Sequence, residues 1–74
     1  MSMDKRLAIF LLDEVTANGI DTISMTHEQI ARHLGTAREV VTRMLKHFAS
    51  DGWVEVSRKG IKILDKKKLR DIVQ

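Results

Sequence analysis

Residues 26–46 read THEQIARHLGTAREVVTRMLK, and this stretch carries the strongest structural signal in the chain. Thr26 to Gln29 has the form of a capping box, in which a threonine hydroxyl accepts a backbone N–H and a glutamine three residues later bonds back to the cap. Gly35 can take the left-handed conformation that ends a helix. The pattern Thr36 to Glu39 then repeats the capping signal at once. Two helices joined by so short a turn must meet at a steep angle, which is typical of a helix-turn-helix.

The second of these helices, predicted over about Ala37 to Ser50, separates its polar and apolar residues. At 100° per residue the apolar side chains occupy one side of the helix. The opposite side carries Arg38, Glu39, Thr42, Arg43 and Lys46. An arginine can donate two hydrogen bonds to guanine, and a glutamate can accept one from cytosine. This side therefore suits a DNA major groove, where Thr42 could contact a thymine methyl group or a phosphate.

Shorter elements are predicted on both sides of this pair. Their signals are helical spacing, a capping aspartate, and alternation of apolar with polar residues around a basic turn. They predict a first helix over Met3 to Ala17, a strand over Thr22 to Met25, a hairpin of Trp53–Ser57 and Ile61–Ile63 around Arg58-Lys59-Gly60, and a last helix after Asp65. The expected fold is mainly α with a small β-hairpin (α+β), and a hairpin directly after the second helix makes it a winged helix-turn-helix.

The length and composition fit one small domain spanning residues 1–74. With 74 residues there is room for a single core. Cysteine is absent, which excludes disulfides and cysteine-containing zinc sites and agrees with a reducing compartment. No apolar run approaches the roughly 20 residues that a membrane span needs. We therefore expect a soluble, cytoplasmic protein without a membrane partner.

Charge is distributed unevenly along the chain. Up to Ala31 there are two basic residues against five acidic ones, whereas from Arg32 onward there are eleven basic residues against five acidic ones. A cationic half of this kind favours an anionic partner, although a solvated basic surface without a partner would give the same count.

Residues 26–46 closely resemble the helix-turn-helix of the cyclic-AMP receptor and fumarate-nitrate regulator (Crp/Fnr) family of bacterial transcription regulators, and Trp53 to Leu64 resembles the wing of that family. The spacing of Arg38, Glu39 and Arg43 matches the base-reading positions of the family. The resemblance implies sequence-specific binding of double-stranded DNA, with the helix from about Ala37 to Ser50 in the major groove. It also implies a TGTGA-like half-site within an inverted repeat.

The resemblance also implies how such a domain is used. In the family it follows a sensor domain and a dimerisation helix, so residues 1–74 are expected to be a fragment that lacks both. The full-length protein is then expected to be a homodimer that can contact RNA polymerase. An effector such as a cyclic nucleotide would bind the sensor domain, and we expect no cofactor in this chain.

The candidate site residues fall into two groups. Arg38, Glu39, Thr42 and Arg43 are predicted to read bases, and Thr26, Thr36, Lys46, Arg58 and Lys59 are predicted to contact phosphates. Each has a structural alternative. Glu39 could close the second capping box, both predicted cap threonines could serve only as caps, and the cations could be solvated.

Catalysis and metal binding have little support in the sequence. His27, His33 and His47 lack the spacing of a zinc helix and have no clustered carboxylates beside them. No phosphate loop or nucleophile motif is present, so we expect no enzyme, no catalytic residue and no metal. The alternative function is a winged-helix protein–protein interaction module, which would favour apolar residues on the exposed side of the second helix. The polar side chains there favour DNA.

Overall fold

The computed structural model describes residues 2–74 and confirms the winged helix-turn-helix fold. Helices and strands alternate much as the sequence predicts. In chain order the described part contains α1 (Met3–Asn18), β1 (Thr22–Ile23), α2 (His27–Leu34), α3 (Arg38–Ser50), β2 (Val54–Ser57), β3 (Gly60–Ile63) and α4 (Lys66–Val73).

The three strands form one antiparallel sheet in the order β1-β3-β2. Thr22 lies opposite Lys62 and Ile23 opposite Ile61, so the segment before α2 is joined to the wing. The predicted strand over Thr22 to Met25 is too long, because it ends at Ile23. The three residues after Ile23 leave the sheet and lead into the cap of α2.

The wing turns more tightly than predicted. Ser57 lies opposite Gly60, so Arg58 and Lys59 alone connect the strands and Gly60 is the first residue of β3. Gly60 has φ +129°, and a Cβ built on it would overlap the carbonyl oxygen of Ile23. The close approach of β3 to β1 therefore requires glycine at this position.

A single apolar core lies between the helices and the sheet. Leu7 and Leu11 of α1 and Leu69 of α4 are fully buried within it. The rings of Phe48 and Trp53 lie 5.4 Å apart where α3 meets the wing. Each fully buried large side chain stabilises the fold by about 1.5–3 kcal/mol. Helix α3 contributes Val41, Leu45 and Phe48 to the core, so its other side must face solvent.

Helix α2 begins and ends as the sequence predicts. The Thr26 hydroxyl accepts the Gln29 N–H at 3.1 Å, and the Gln29 side-chain oxygen accepts the Thr26 N–H at 2.9 Å. Gly35 takes the left-handed conformation at φ +69°. The Asp65 carboxylate caps α4 in a similar way, by accepting the Lys68 N–H at 3.1 Å.

The predicted cap of α3 at Thr36 is wrong. The N-cap is Ala37, and no side chain in residues 2–74 caps this helix. Thr36 instead donates its N–H to the Ala31 carbonyl at 2.9 Å, while Gly35 donates to Arg32. These two bonds form the Schellman motif that closes α2. Thr36 therefore belongs to the end of the preceding helix, and α3 starts one residue later than its capping pattern indicates.

Candidate nucleic-acid interface

The outward side of α3 brings five predicted site residues together. All of them are exposed, and they line a shallow concavity of about 290 Å³. They are Arg38, Glu39, Thr42, Arg43 and Lys46. Because the core holds the opposite side of the helix, this polar surface is fixed in orientation by the fold. We call these five residues the α3 polar face.

Glu39 is free of the structural role that its sequence context suggested. With Ala37 as the N-cap, Glu39 is the second residue of the helix and not the third, so it cannot close a capping box with Thr36. Within residues 2–74 its carboxylate has no hydrogen bond or ion pair. Its exposed side chain therefore presents unsatisfied acceptors near the start of α3.

Thr42 is in contact with the start of α2. Its Oγ1 lies 2.8 Å from Nδ1 of His27, the first residue of that helix. Sequence reasoning considered His27 only as a metal ligand and missed this contact. No local pattern signals it, because the two residues lie fifteen positions apart and only the packing of α2 against α3 brings them together.

A second groove lies between the wing and the start of α2. It has a volume of about 310 Å³, and its lining includes Thr26, His27, Arg58 and Lys59. The Ser24 hydroxyl donates to the Lys59 carbonyl at 3.5 Å, which ties the wing turn to the segment before α2. Three of the predicted phosphate-binding residues thus share one groove, which we call the wing groove.

The other two predicted phosphate-binding residues lie elsewhere. Lys46 belongs to the α3 polar face. Thr36 is half-buried in the turn between α2 and α3, and it lines neither the concavity of the α3 polar face nor the wing groove.

The carboxylate of Asp4 lies beside two cations of the α3 polar face. Asp4, near the start of α1, lines a cavity of about 550 Å³ together with Arg43 and Lys46. A hydrogen bond from the Ser2 side chain is the main cause that lowers the pKa of Asp4, the Lys5 N–H contributes in the same direction, and burial opposes both. Asp4 is therefore ionised at neutral pH. It places a negative charge beside Arg43 and Lys46, on the side of these cations that faces α1.

Between Ser2 and Gln74 no three histidine, aspartate or glutamate side chains come together as a metal ion would require. Within that same range no helix is long and apolar enough to cross a membrane.

The sequence and the fold agree with a known family. Residues 5–72 match the sequence profile of the Crp-like helix-turn-helix domain. The chain belongs to that family. Among curated relatives of this Crp-like domain, the transcriptional regulator Flp of Lacticaseibacillus casei is 40% identical over 72 residues, which is 95% of this chain and 33% of the relative. A CRP-like cAMP-activated global transcriptional regulator of Mycobacterium tuberculosis is 38% identical over 48 residues, covering 65% of this chain and 21% of that protein.

Solved structures give the same family. A Crp/Fnr-family transcriptional regulator from Eubacterium rectale superimposes with a TM-score of 0.95 at 50% identity, over 97% of this chain and 33% of that one. A Crp/Fnr-family regulator from Thermus thermophilus superimposes with a TM-score of 0.85 at 25% identity, over 99% and 41%. The Crp-like chain thus spans about a third of the length of its relative Flp, and the proteins it resembles are named as transcription regulators.

Proposed function

We propose that this winged helix-turn-helix domain binds double-stranded DNA sequence-specifically and inserts α3 into the major groove. The observation that supports this most directly is the α3 polar face. Its arginines, glutamate and threonine are exposed together on a helix whose other side is held by the core. A major groove of about 12 Å width admits one such helix.

The base contacts follow from the chemistry of these side chains. Arg38 and Arg43 would each donate two hydrogen bonds to a guanine, and Glu39 would accept one from the amino group of a cytosine. The unpaired carboxylate of Glu39 supports its part in this assignment, because binding would break no internal hydrogen bond. The resemblance to the Crp/Fnr family implies that the half-site resembles TGTGA.

Phosphate contacts would set the position of α3 in the groove. The wing groove supplies Thr26, Arg58 and Lys59 from two elements that the sheet holds together. Lys46 and the Thr36 hydroxyl would contact the backbone nearer to α3. Such contacts fix register and orientation without reading sequence.

In the full-length protein we propose a homodimer on an inverted repeat, with the two α3 helices about 34 Å apart, one turn of DNA. A sensor domain and a dimerisation helix would precede this domain, and RNA polymerase would be a further partner. A cyclic nucleotide or another effector would act on the sensor domain. A single copy should bind weakly, in the non-specific range of about 10⁻⁴ to 10⁻⁶ M.

The alternative of a protein-interaction module finds no support on α3. In residues 2–74 the exposed large hydrophobic side chains are Ile20, Val56 and Leu64, and all three lie outside that helix. An interface built on α3 would bury charged side chains, which protein–protein interfaces avoid at their centres.

Fluorescence anisotropy tests the proposal. Labelled duplexes carrying a TGTGA inverted repeat or its scrambled control are titrated at two salt concentrations. We expect the domain to prefer the repeat, and we expect Arg43→Ala to abolish this preference. Equal, salt-sensitive binding to both duplexes would contradict the half-site. Absence of binding even at low salt would favour the protein-interaction module.

A further inference from the structure

The contact between His27 and Thr42 joins the two helices of the helix-turn-helix on the side that faces DNA in the proposed complex. His27 is half-buried at the start of α2, and Thr42 is exposed on the α3 polar face. Nδ1 and Oγ1 are 2.8 Å apart, a short distance for a hydrogen bond. A hydroxyl both donates and accepts, so the bond forms whether the ring nitrogen carries a proton or not.

This bond restricts what Thr42 can present to a ligand. Threonine is branched at Cβ and is stiff about χ1, so fixing Oγ1 also fixes the methyl group. The oxygen is directed to α2, and the methyl group occupies a different staggered position on an exposed residue. Thr42 lines the same concavity as Arg38 and Arg43. The bond to His27 engages the hydroxyl and leaves the methyl as the branch of Thr42 without a partner in α2.

We infer that His27 is a positioning residue that holds Thr42 so that its methyl group packs against the C5-methyl of a thymine. This inference rests on the proposed DNA binding and extends it by one base pair. Apolar contact with the thymine methyl is an established mode of reading A·T pairs in the major groove. His27 itself need not touch DNA for this effect, because it acts through the orientation of Thr42.

Replacement of thymine by deoxyuridine tests the inference, because it removes only the C5-methyl. The 74-residue chain is first used, at low salt and micromolar concentration, to enrich the best-bound duplexes from a random pool. Each thymine of a selected duplex is then replaced in turn, and dissociation constants are measured by anisotropy. One thymine in each half-site should show about fourfold weaker binding as uracil, the effect of losing one buried methyl group.

Variants identify the residues responsible. Valine carries a methyl group on both branches of Cβ and strongly prefers one χ1 rotamer in a helix, whereas threonine splits between two. Thr42→Val should therefore keep the discrimination without the bond to His27, and Thr42→Ser should lose it. His27→Ala should bring the thymine-to-uracil ratio close to one. His27→Asn places an amide atom where Nδ1 lies and should restore the ratio. His47→Ala is the matched control, because it removes an exposed histidine from α3 and should leave the ratio unchanged.

The outcomes separate this inference from the proposed function. A selected duplex whose binding depends on no thymine methyl, or a ratio unchanged in His27→Ala, would overturn the inference while DNA binding stands. Loss of the ratio in Thr42→Val with retention in Thr42→Ser would assign the reading to the hydroxyl and overturn it as well. Failure of folded protein, checked by circular dichroism, to select any duplex would overturn the proposed function together with the inference.

Discussion

The two helices of the helix-turn-helix begin in different ways. The start of α2 is closed by two reciprocal hydrogen bonds between Thr26 and Gln29. The start of α3 has alanine at the N-cap, and no side chain between Ser2 and Gln74 occupies its first amides. Free N–H groups and the positive end of the helix dipole favour an anion at such a position. Within residues 2–74 the start of α2 is thus closed by its own side chains, whereas the start of α3 is not.

Helix α3 itself has one side that stabilises the fold and one side that is available for binding. The apolar side of α3 is tied into the core, while the carboxylate of Glu39 and the guanidinium groups of Arg38 and Arg43 are free of ion pairs within residues 2–74. Substitutions should therefore fall into two classes. One class changes folding stability and the other changes DNA binding.

The largest expected effect is a loss of DNA-binding affinity. Arg43→Ala should cost about 1–3 kcal/mol of DNA-binding free energy and relax preference at one base pair, because a bidentate guanine contact is lost. Its melting temperature should stay close to that of the parent, since the side chain is exposed. Anisotropy and thermal unfolding measure the two quantities. Equal losses on specific and random DNA would contradict base reading by Arg43.

Loss of the cap of α2 should lower the folding stability of the domain. Thr26→Ala should destabilise the domain by about 1 kcal/mol, because it removes the acceptor of the Gln29 N–H. For a domain of this size that corresponds to a fall in Tm of about 4–8 °C. Thr36→Ala is the matched control and should change stability by less than about 0.5 kcal/mol. Equal falls in Tm for the two variants would mean that Thr36 also caps a helix.

A side-chain cap added to α3 should remove the difference between the two helix starts. Ala37→Asp should stabilise the free domain by about 1 kcal/mol by accepting a first-turn amide. It should also weaken DNA binding, because it places a negative charge where a phosphate would approach. Ala37→Ser supplies a cap without the charge and should stabilise with a smaller loss of binding. A rise of both stability and affinity in Ala37→Asp would show that the start of α3 faces away from the DNA.

The smallest effect is expected from the wing. Lys59→Ala should weaken binding to all duplexes alike and reduce the slope of log K against log salt by about 0.9, the value for one phosphate contact. Titrations of specific and random duplexes at several salt concentrations measure it. A loss confined to the specific duplex would assign Lys59 to base reading instead.

Features fixed by one local pattern could be predicted, whereas the outcome of two competing local patterns and a contact between distant residues could not. The capping box at Thr26, the left-handed Gly35 and the Asp65 cap depend on residues within four positions, and all three predictions are confirmed. Thr36 was assigned wrongly because the end of α2 uses its backbone first. The contact between His27 and Thr42 spans fifteen residues, so no local pattern could indicate it.

Gly60 determines how far the wing turn lies from the start of α2, and so how the two would meet DNA. Its missing side chain lets β3 lie directly against Ile23, and only three residues separate Ile23 from the start of α2 at His27. The wing turn and the start of α2 are thus joined by a short connection, and in the proposed complex both contact the phosphate backbone. A larger residue at position 60 would force β3 away from Ile23, and the wing turn would shift relative to the start of α2, so the proposed phosphate contacts of the two could no longer be made together.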